Sequence, residues 1–262
     1  MDLGLKGKVA LIMAGSKGLG KAVALRLSNE GAIVSIISRD IGNLNKAKMD
    51  IENKTGNSVL IFQGDVTKKE DIEKWVLQTV KEYGTIHILF TNAGGPPSGG
   101  FFDVKPDDYF IAINLNLMST IYAVYSAVPY MKEQHWGRII ASTSMTVKQP
   151  LDNLILSNVS RVGVVSFIKS VSNVLASFGI TANTIAPGYT MTERVEELIK
   201  SRMIKEGIQI EEAQKSIIEN IPMKRIGNVE EFSAAVAFLA SERSSYITGI
   251  VLPVDGGYIR GT

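Results

Sequence analysis

Seven short runs rich in β-branched and aliphatic residues punctuate the chain: KVALIMAG (8–15), AIVSIIS (32–38), SVLIFQG (58–64), IHILFTNAG (86–94), GRIIAST (137–143), ITANTIAPG (180–188) and GIVLPVDGG (249–257). Each is nearly continuous in apolar residues, as expected of a strand covered on both faces. Helical spacing of apolar positions is clear at 21–30, 70–83, 107–134, 158–178 and 229–241, and each of the first six strands leads into a helical pattern. This alternation predicts an α/β fold: a single Rossmann-like doubly wound parallel sheet with helices on both faces. Residues 192–220 are charged, helical in pattern and set between a strand and the last helix, which predicts a helical flap on the substrate side. No internal repeat, low-complexity tract or linker-like stretch interrupts the pattern, so residues 1–262 read as one domain.

Composition narrows the function classes. With 28 Lys and Arg against 26 Asp and Glu, the net charge of +2 gives no overall field for nucleic acid or acidic lipid. The absence of Cys removes thiolate catalysis, disulfides and Cys-ligated metals. His87 and His135 are far apart and have no ligand-like spacing, so both read as structural or surface residues and no metal site is expected. The first apolar run is too short for a signal segment, and no later run reads as a bilayer span; a cytoplasmic setting without membrane is the expectation.

Candidate chemistry begins at AGSKGLG (14–20), which follows the first strand and opens the first helix. Gly15, Gly18 and Gly20 allow a tight turn and close backbone approach, and the helix N-terminus offers free N–H groups to a pyrophosphate; Ser16, Lys17 and Leu19 complete the loop. The second strand ends in Ser38 and Arg39, with no acid at the ribose-binding position to repel a 2′-phosphate. Lys17 and Arg39 supply cations on that side, which favours NADP(H) over NAD(H), although Asp40 stands beside Arg39.

The GxxGxG spacing of Gly15, Gly18 and Gly20 is followed in order by GDV (64–66), TNAG (91–94), INL at Asn114, STS ending in Ser144, APGYTMT (186–192) and VDGG (254–257). Together these resemble the short-chain dehydrogenase/reductase family over essentially the whole chain. The resemblance is strongest to its 3-oxoacyl-[acyl-carrier-protein] reductase group, in a divergent branch with GGPP after the fourth strand and SNxxR in the active-site helix. It implies that Asp65 and Val66 meet the adenine, that Asn92, Ala93 and Gly94 line the pocket, and that Pro187, Gly188 and Thr192 flank the nicotinamide. Pro187 and Gly188 serve equally well as strand-end turn residues. The resemblance also implies a homo-oligomer, dimer or tetramer, and a small carbonyl or alcohol substrate.

Members of that family use a Ser to polarise the substrate oxygen, an Asn to hold a relay water, and a Tyr four residues before a Lys as proton donor. Ser144 and Asn114 match. The Tyr position is Ser157 and the Lys position Arg161, and no Tyr lies between Tyr130 and Tyr189. A Ser hydroxyl is a weaker, shorter acid than a phenol, so Ser157 needs a bridging water. Arg161 keeps a cation for the nicotinamide ribose but does not readily cycle its proton. Lys148, in the loop after the fifth strand, is a candidate donor as well as an ordinary solvent-facing lysine; Tyr189 fits a pocket wall better than an acid. Met118, Met145 and Met191 suit an apolar pocket or, more simply, core packing. Two functions follow: an NADP(H)-dependent oxidoreductase with a non-standard active site, or a catalytically impaired NADP(H)-binding sensor or scaffold.

Overall fold

In the computed structural model, residues 1–261 are described, apart from the side chains of Arg194, Leu198, Ser201, Arg202, Lys205, Glu206 and Ser216. The strands are β1 (Val9–Met13), β2 (Ile33–Ser38), β3 (Val59–Gln63), β4 (Ile88–Thr91), β5 (Gly137–Ser142), β6 (Ile180–Pro187) and β7 (Val251–Val254). They form one sheet in the order β3-β2-β1-β4-β5-β6-β7, with every neighbouring pair parallel. The helices are α1 (Gly18–Asn29), α2 (Ile41–Thr55), α3 (Lys69–Tyr83), α4 (Pro106–Ile113), α5 (Ser119–Glu133), α6 (Ile155–Leu175), α7 (Glu193–Glu206), α8 (Ile210–Ile218) and α9 (Val229–Ala240).

The two-residue period of a strand sends alternate side chains into two cores. Ala10 and Ile12 of β1 join Val23 and Leu27 of α1 and Phe232 and Val236 of α9 on one face. Leu11 and Met13 join Trp75 of α3, Ala127 of α5 and Ile168 of α6 on the other. Continuous apolar strands are therefore the direct consequence of two buried faces.

Three features add to or depart from the sequence reading. Helix α2 follows the second strand, where a helical pattern was expected but given no bounds; its mostly polar sequence buries only Leu44, Ala47 and Ile51, with Asp40 capping its start and Gly56 its end. The long helix anticipated at 107–134 contains a π-helical turn, Asn114–Met118, between α4 and α5. Segments 106–133 and 155–178 are also long and apolar enough to cross a membrane, contrary to the expectation of no such run. Here each packs one side against the sheet.

The anticipated flap consists of α7 and α8. It closes on its own small core of Ile199, Ala213, Ile217, Ile221 and Ile226, against which Tyr189, Met191 and Tyr258 pack. Met145 is buried, as core packing requires.

Candidate active site and cofactor cleft

A parallel sheet brings the carboxyl ends of all its strands to one edge, and the connection reverses direction between β1 and β4. Ligands of such sheets bind at that edge, beside that crevice. The cofactor candidates other than Arg161, together with Ser144, lie at or just after strand ends there: 14–20 after β1, Ser38 and Arg39 at the end of β2, Asp65 and Val66 after β3, Asn92–Gly94 after β4, Ser144 after β5, and Pro187–Thr192 at and after the end of β6.

The glycine loop is shaped by close approach. A Cβ on Gly20 would stand 2.2 Å from the Ala14 carbonyl oxygen, so only Gly lets the helix start so near the strand end. Gly18 has φ +51°, and its open side faces only the methyl end of Thr192, 3.6 Å from an added Cβ. The first residue of the flap and the glycine loop thus face each other. Lys17 Nζ also reaches Glu193 of α7 at 3.4 Å, with both side chains about half exposed. That ion pair was not anticipated, and it draws one of the two expected phosphate cations toward the flap.

The other cation is differently placed. Asp40, the acid beside Arg39, turns its Oδ1 onto the Asn43 N–H at 2.7 Å and caps α2. Arg39 is exposed and makes no ion pair among the described residues. Ser16 donates to Ser38 Oγ at 2.8 Å, tying the glycine loop to the end of β2. Asp65 Oδ1 accepts from the Thr67 N–H and hydroxyl at 3.0 and 2.9 Å, which shapes the turn that presents Val66. A Cβ on Gly94 would meet nothing within 4 Å, leaving an open shelf after β4.

Ser144 is half-buried and accepts from the Thr146 N–H at 3.2 Å, so its own proton is left for another acceptor. Ser157, on the first turn of α6, is 7% exposed and makes no side-chain hydrogen bond among the described residues. Arg161 is 8% exposed, and its Nη1 donates to the carbonyls of Ser142 and Thr143 at 3.3 and 2.8 Å. The guanidinium expected at the ribose therefore pins the end of β5, its Nη1 shared between two consecutive carbonyl oxygens. Lys148 is exposed. Burial, with Tyr258 beside it, pushes the Tyr189 phenol above its ordinary pKa and makes it a poorer donor at neutral pH.

Asn114 requires correction. Its amide points to the Thr67 carbonyl at 3.4 Å, on the β3 side. Asn116 occupies the wall instead: its Nδ2 donates to the Gly94 carbonyl at 3.2 Å, and its Oδ1 accepts from Ser160 of α6 at 3.0 Å. Residues two apart on a helix face nearly opposite ways, and the second Asn of INLNL was the available signal. Nothing in the sequence pointed to Ser160.

His87 is structural. Its Nδ1 accepts the Val9 N–H at 3.0 Å, and its ring meets Trp136 edge-on. Burial, with a contribution from Lys8, lowers its pKa to about 4. No cluster of His, Cys, Asp and Glu suited to a metal occurs among the described residues.

Residues 13–259 match the family described as Enoyl-(Acyl carrier protein) reductase. The chain is 31% identical over 254 residues to the NADPH-dependent reductase BacG of Bacillus subtilis, covering 97% of this chain and 98% of that protein. It is 32% identical over 257 residues to the 3-oxoacyl-[acyl-carrier-protein] reductase FabG of Thermotoga maritima, covering 97% and 99%. Among solved structures, L-sorbose reductase from Gluconobacter frateurii complexed with NADPH and L-sorbose superposes with a TM-score of 0.96 at 28% identity, over the full length of both chains. NAD+-bound xylitol dehydrogenase superposes with a TM-score of 0.89 at 28% identity, covering 97% and 99%.

Proposed function

We propose that this chain, which belongs to the short-chain dehydrogenase/reductase family, is an NADP(H)-dependent oxidoreductase of small carbonyl or alcohol substrates, of the 3-oxoacyl reductase type. The observation that carries the cofactor choice is the pairing of an uncommitted Arg39 with an Asp40 that is turned away into a helix cap. A dinucleotide is supported by the close loop approach that Gly20 allows and the open shelf at Gly94, and a 2′-phosphate by the Ser that stands at position 38 in place of an acid. Residues 14–20 would hold the pyrophosphate, Arg39 and Lys17 the 2′-phosphate, Asp65 and Val66 the adenine. Asn92–Gly94 with Pro187, Gly188 and Thr192 would hold the nicotinamide end. When bound, the nicotinamide supplies or accepts a hydride.

The chain's own part is to hold the substrate oxygen and deliver a proton. Ser144 Oγ accepts from a backbone N–H and points its proton at that oxygen. Ser157, too short to reach as a phenol does, orders the water that protonates it. Asn116 and Ser160 brace the wall between β4 and α6. Losing a positioned general acid costs about a hundred- to ten-thousand-fold, so slow turnover is expected beside tight cofactor binding. A homo-oligomer is supported by the exposed Phe110, Ile111, Tyr125, Val159 and Val174 along α4 to α6.

A second reading, an NADP(H)-binding sensor or scaffold with impaired catalysis, is favoured by one observation: Arg161 is engaged by the carbonyls of Ser142 and Thr143. The two are separated by titrating with NADPH and then following its oxidation against 3-oxoacyl thioesters and small ketones. Binding with turnover that falls on Ser144→Ala supports the reductase. Binding without turnover across the panel selects the sensor, and no binding overturns both.

A further inference from the structure

The segment that follows β7 runs from the flap to the loop after Ser144. Asp255 shapes it: its Oδ1 accepts the Gly257 N–H at 2.9 Å and its Oδ2 the Ile259 N–H at 2.8 Å. Tyr258 meets Tyr189 edge-on, with ring centroids 5.8 Å apart, and packs against the flap core. Two residues further on, the Arg260 N–H donates to Gln149 Oε1 at 3.1 Å.

That last bond joins the segments that carry two cations, Arg260 itself and Lys148, the neighbour of Gln149. Lys148 is close to Ser144 in the chain: a single tight turn links them, closed by the Val147 and Lys148 N–H groups on the Ser144 and Met145 carbonyls, both at 3.1 Å. A helical turn of this length advances about 6–8 Å.

Both side chains are exposed, and neither makes an ion pair among the described residues. The acids on the same segments leave them so. Asp255 commits both oxygens to N–H groups of its own loop, and Asp152, exposed before α6, pairs with neither cation. The cofactor's phosphates do not account for them either. Arg39 leaves β2 and Arg260 follows β7, five strand spacings away in the sheet, which is roughly 24 Å.

We propose that Lys148 and Arg260 receive an anionic group of the substrate, a carboxylate or a phosphate, while Ser144 holds its carbonyl oxygen. This rests on the reading of the Ser144 cleft as the site of a carbonyl substrate, and it narrows that substrate to an oxo acid or oxo phosphate. The guanidinium offers a planar fork and the ammonium a mobile point charge, the two forms in which proteins bind such anions.

The test uses the full chain saturated with NADP+, at constant ionic strength, with two matched pairs of probes read by saturation-transfer NMR up to about 50 mM. The pairs are 4-oxopentanoate with 4-oxopentanamide, and dihydroxyacetone phosphate with dihydroxyacetone. In at least one pair the anion should bind about two- to thirtyfold more tightly than its neutral partner, as two exposed ion pairs allow; the pair that shows it identifies the group as carboxylate or phosphate. Lys148→Gln with Arg260→Gln should equalise the members of that pair and leave Tm, the neutral ligand and NADPH affinity unchanged. Ser144→Ala should weaken both members alike. Four results overturn the proposal: equal binding within both pairs, no saturable binding of either anion, a preference that survives the double substitution, or anion binding untouched by Ser144→Ala. Loss of NADPH affinity in the double variant also overturns it, by placing the cations at the cofactor. A preference without NADPH oxidation keeps the anion site and removes the reductase reading, whereas NADPH oxidation without a preference does the reverse.

Discussion

Removing the Arg39 guanidinium separates phosphate recognition from general cofactor binding. Arg39→Ala leaves the turn intact, because Gln63 Nε2 holds the Arg39 carbonyl at 3.1 Å and Asp40 continues to cap α2 at 2.7 Å. The loss is therefore confined to the side chain. A hydrogen bond to a charged group contributes about 1.5–3 kcal/mol, and each 1.4 kcal/mol is tenfold in affinity. NADPH should bind about 10- to 150-fold more weakly, with the lower part of the range expected at an exposed site and at high salt. NADH, which lacks the 2′-phosphate, should change by less than about twofold. Fluorescence titration with both nucleotides at two salt concentrations measures this. Equal weakening of NADPH and NADH would refute the reasoning, because it would mean that Arg39 supports the cleft and not the phosphate; so would an unchanged NADPH affinity.

Three further outcomes follow from the same geometry. Glu193→Gln releases Lys17 from its exposed ion pair, and because such pairs hold about 0.2–1 kcal/mol, NADPH affinity should rise by up to about fivefold in the same titration. Gly20→Ala drives a Cβ to 2.2 Å from the Ala14 oxygen; overpacking of this kind costs about 1–3 kcal/mol, so Tm should fall and saturable NADPH binding should disappear. His87, neutral in the fold down to a pKa of about 4 against an ordinary 6.5, binds fewer protons folded than unfolded between those values. Stability should decline as pH falls from 6.5 and level off below 4, with His87→Gln showing a flatter urea midpoint over that window.

The sheet was legible because burial on both faces erases the alternation of a half-exposed strand, leaving apolar runs that only a covered parallel sheet accommodates. The bounds of helix α2 were not legible by the same logic, since three buried positions in fifteen residues give a weak stripe. Its ends were the better signal: an Asp before it and a Gly with φ +73° after it are chemical stops that do not depend on hydrophobicity. The flap showed itself through charge, whereas its ion pair with Lys17 depends on tertiary placement.

The Asn114 error shows why the active-site wall resists reading from spacing alone. INLNLM offers two Asn residues, and a regular helix would fix which of them faces α6. The π-helical turn at Asn114–Met118 inserts an extra residue and resets that register. Asn116 then bridges Gly94 and Ser160, while Arg161, one residue further along α6, grips the carbonyls before Ser144. Both links tie α6 to the ends of β4 and β5. The wall is thus braced independently of the missing phenol, so substitution of Ser160 by Ala should loosen the cleft even where no proton passes through it. Retained architecture and a lost acid are compatible because different atoms serve each: backbone carbonyls and an amide hold the shape, and the proton must come from elsewhere.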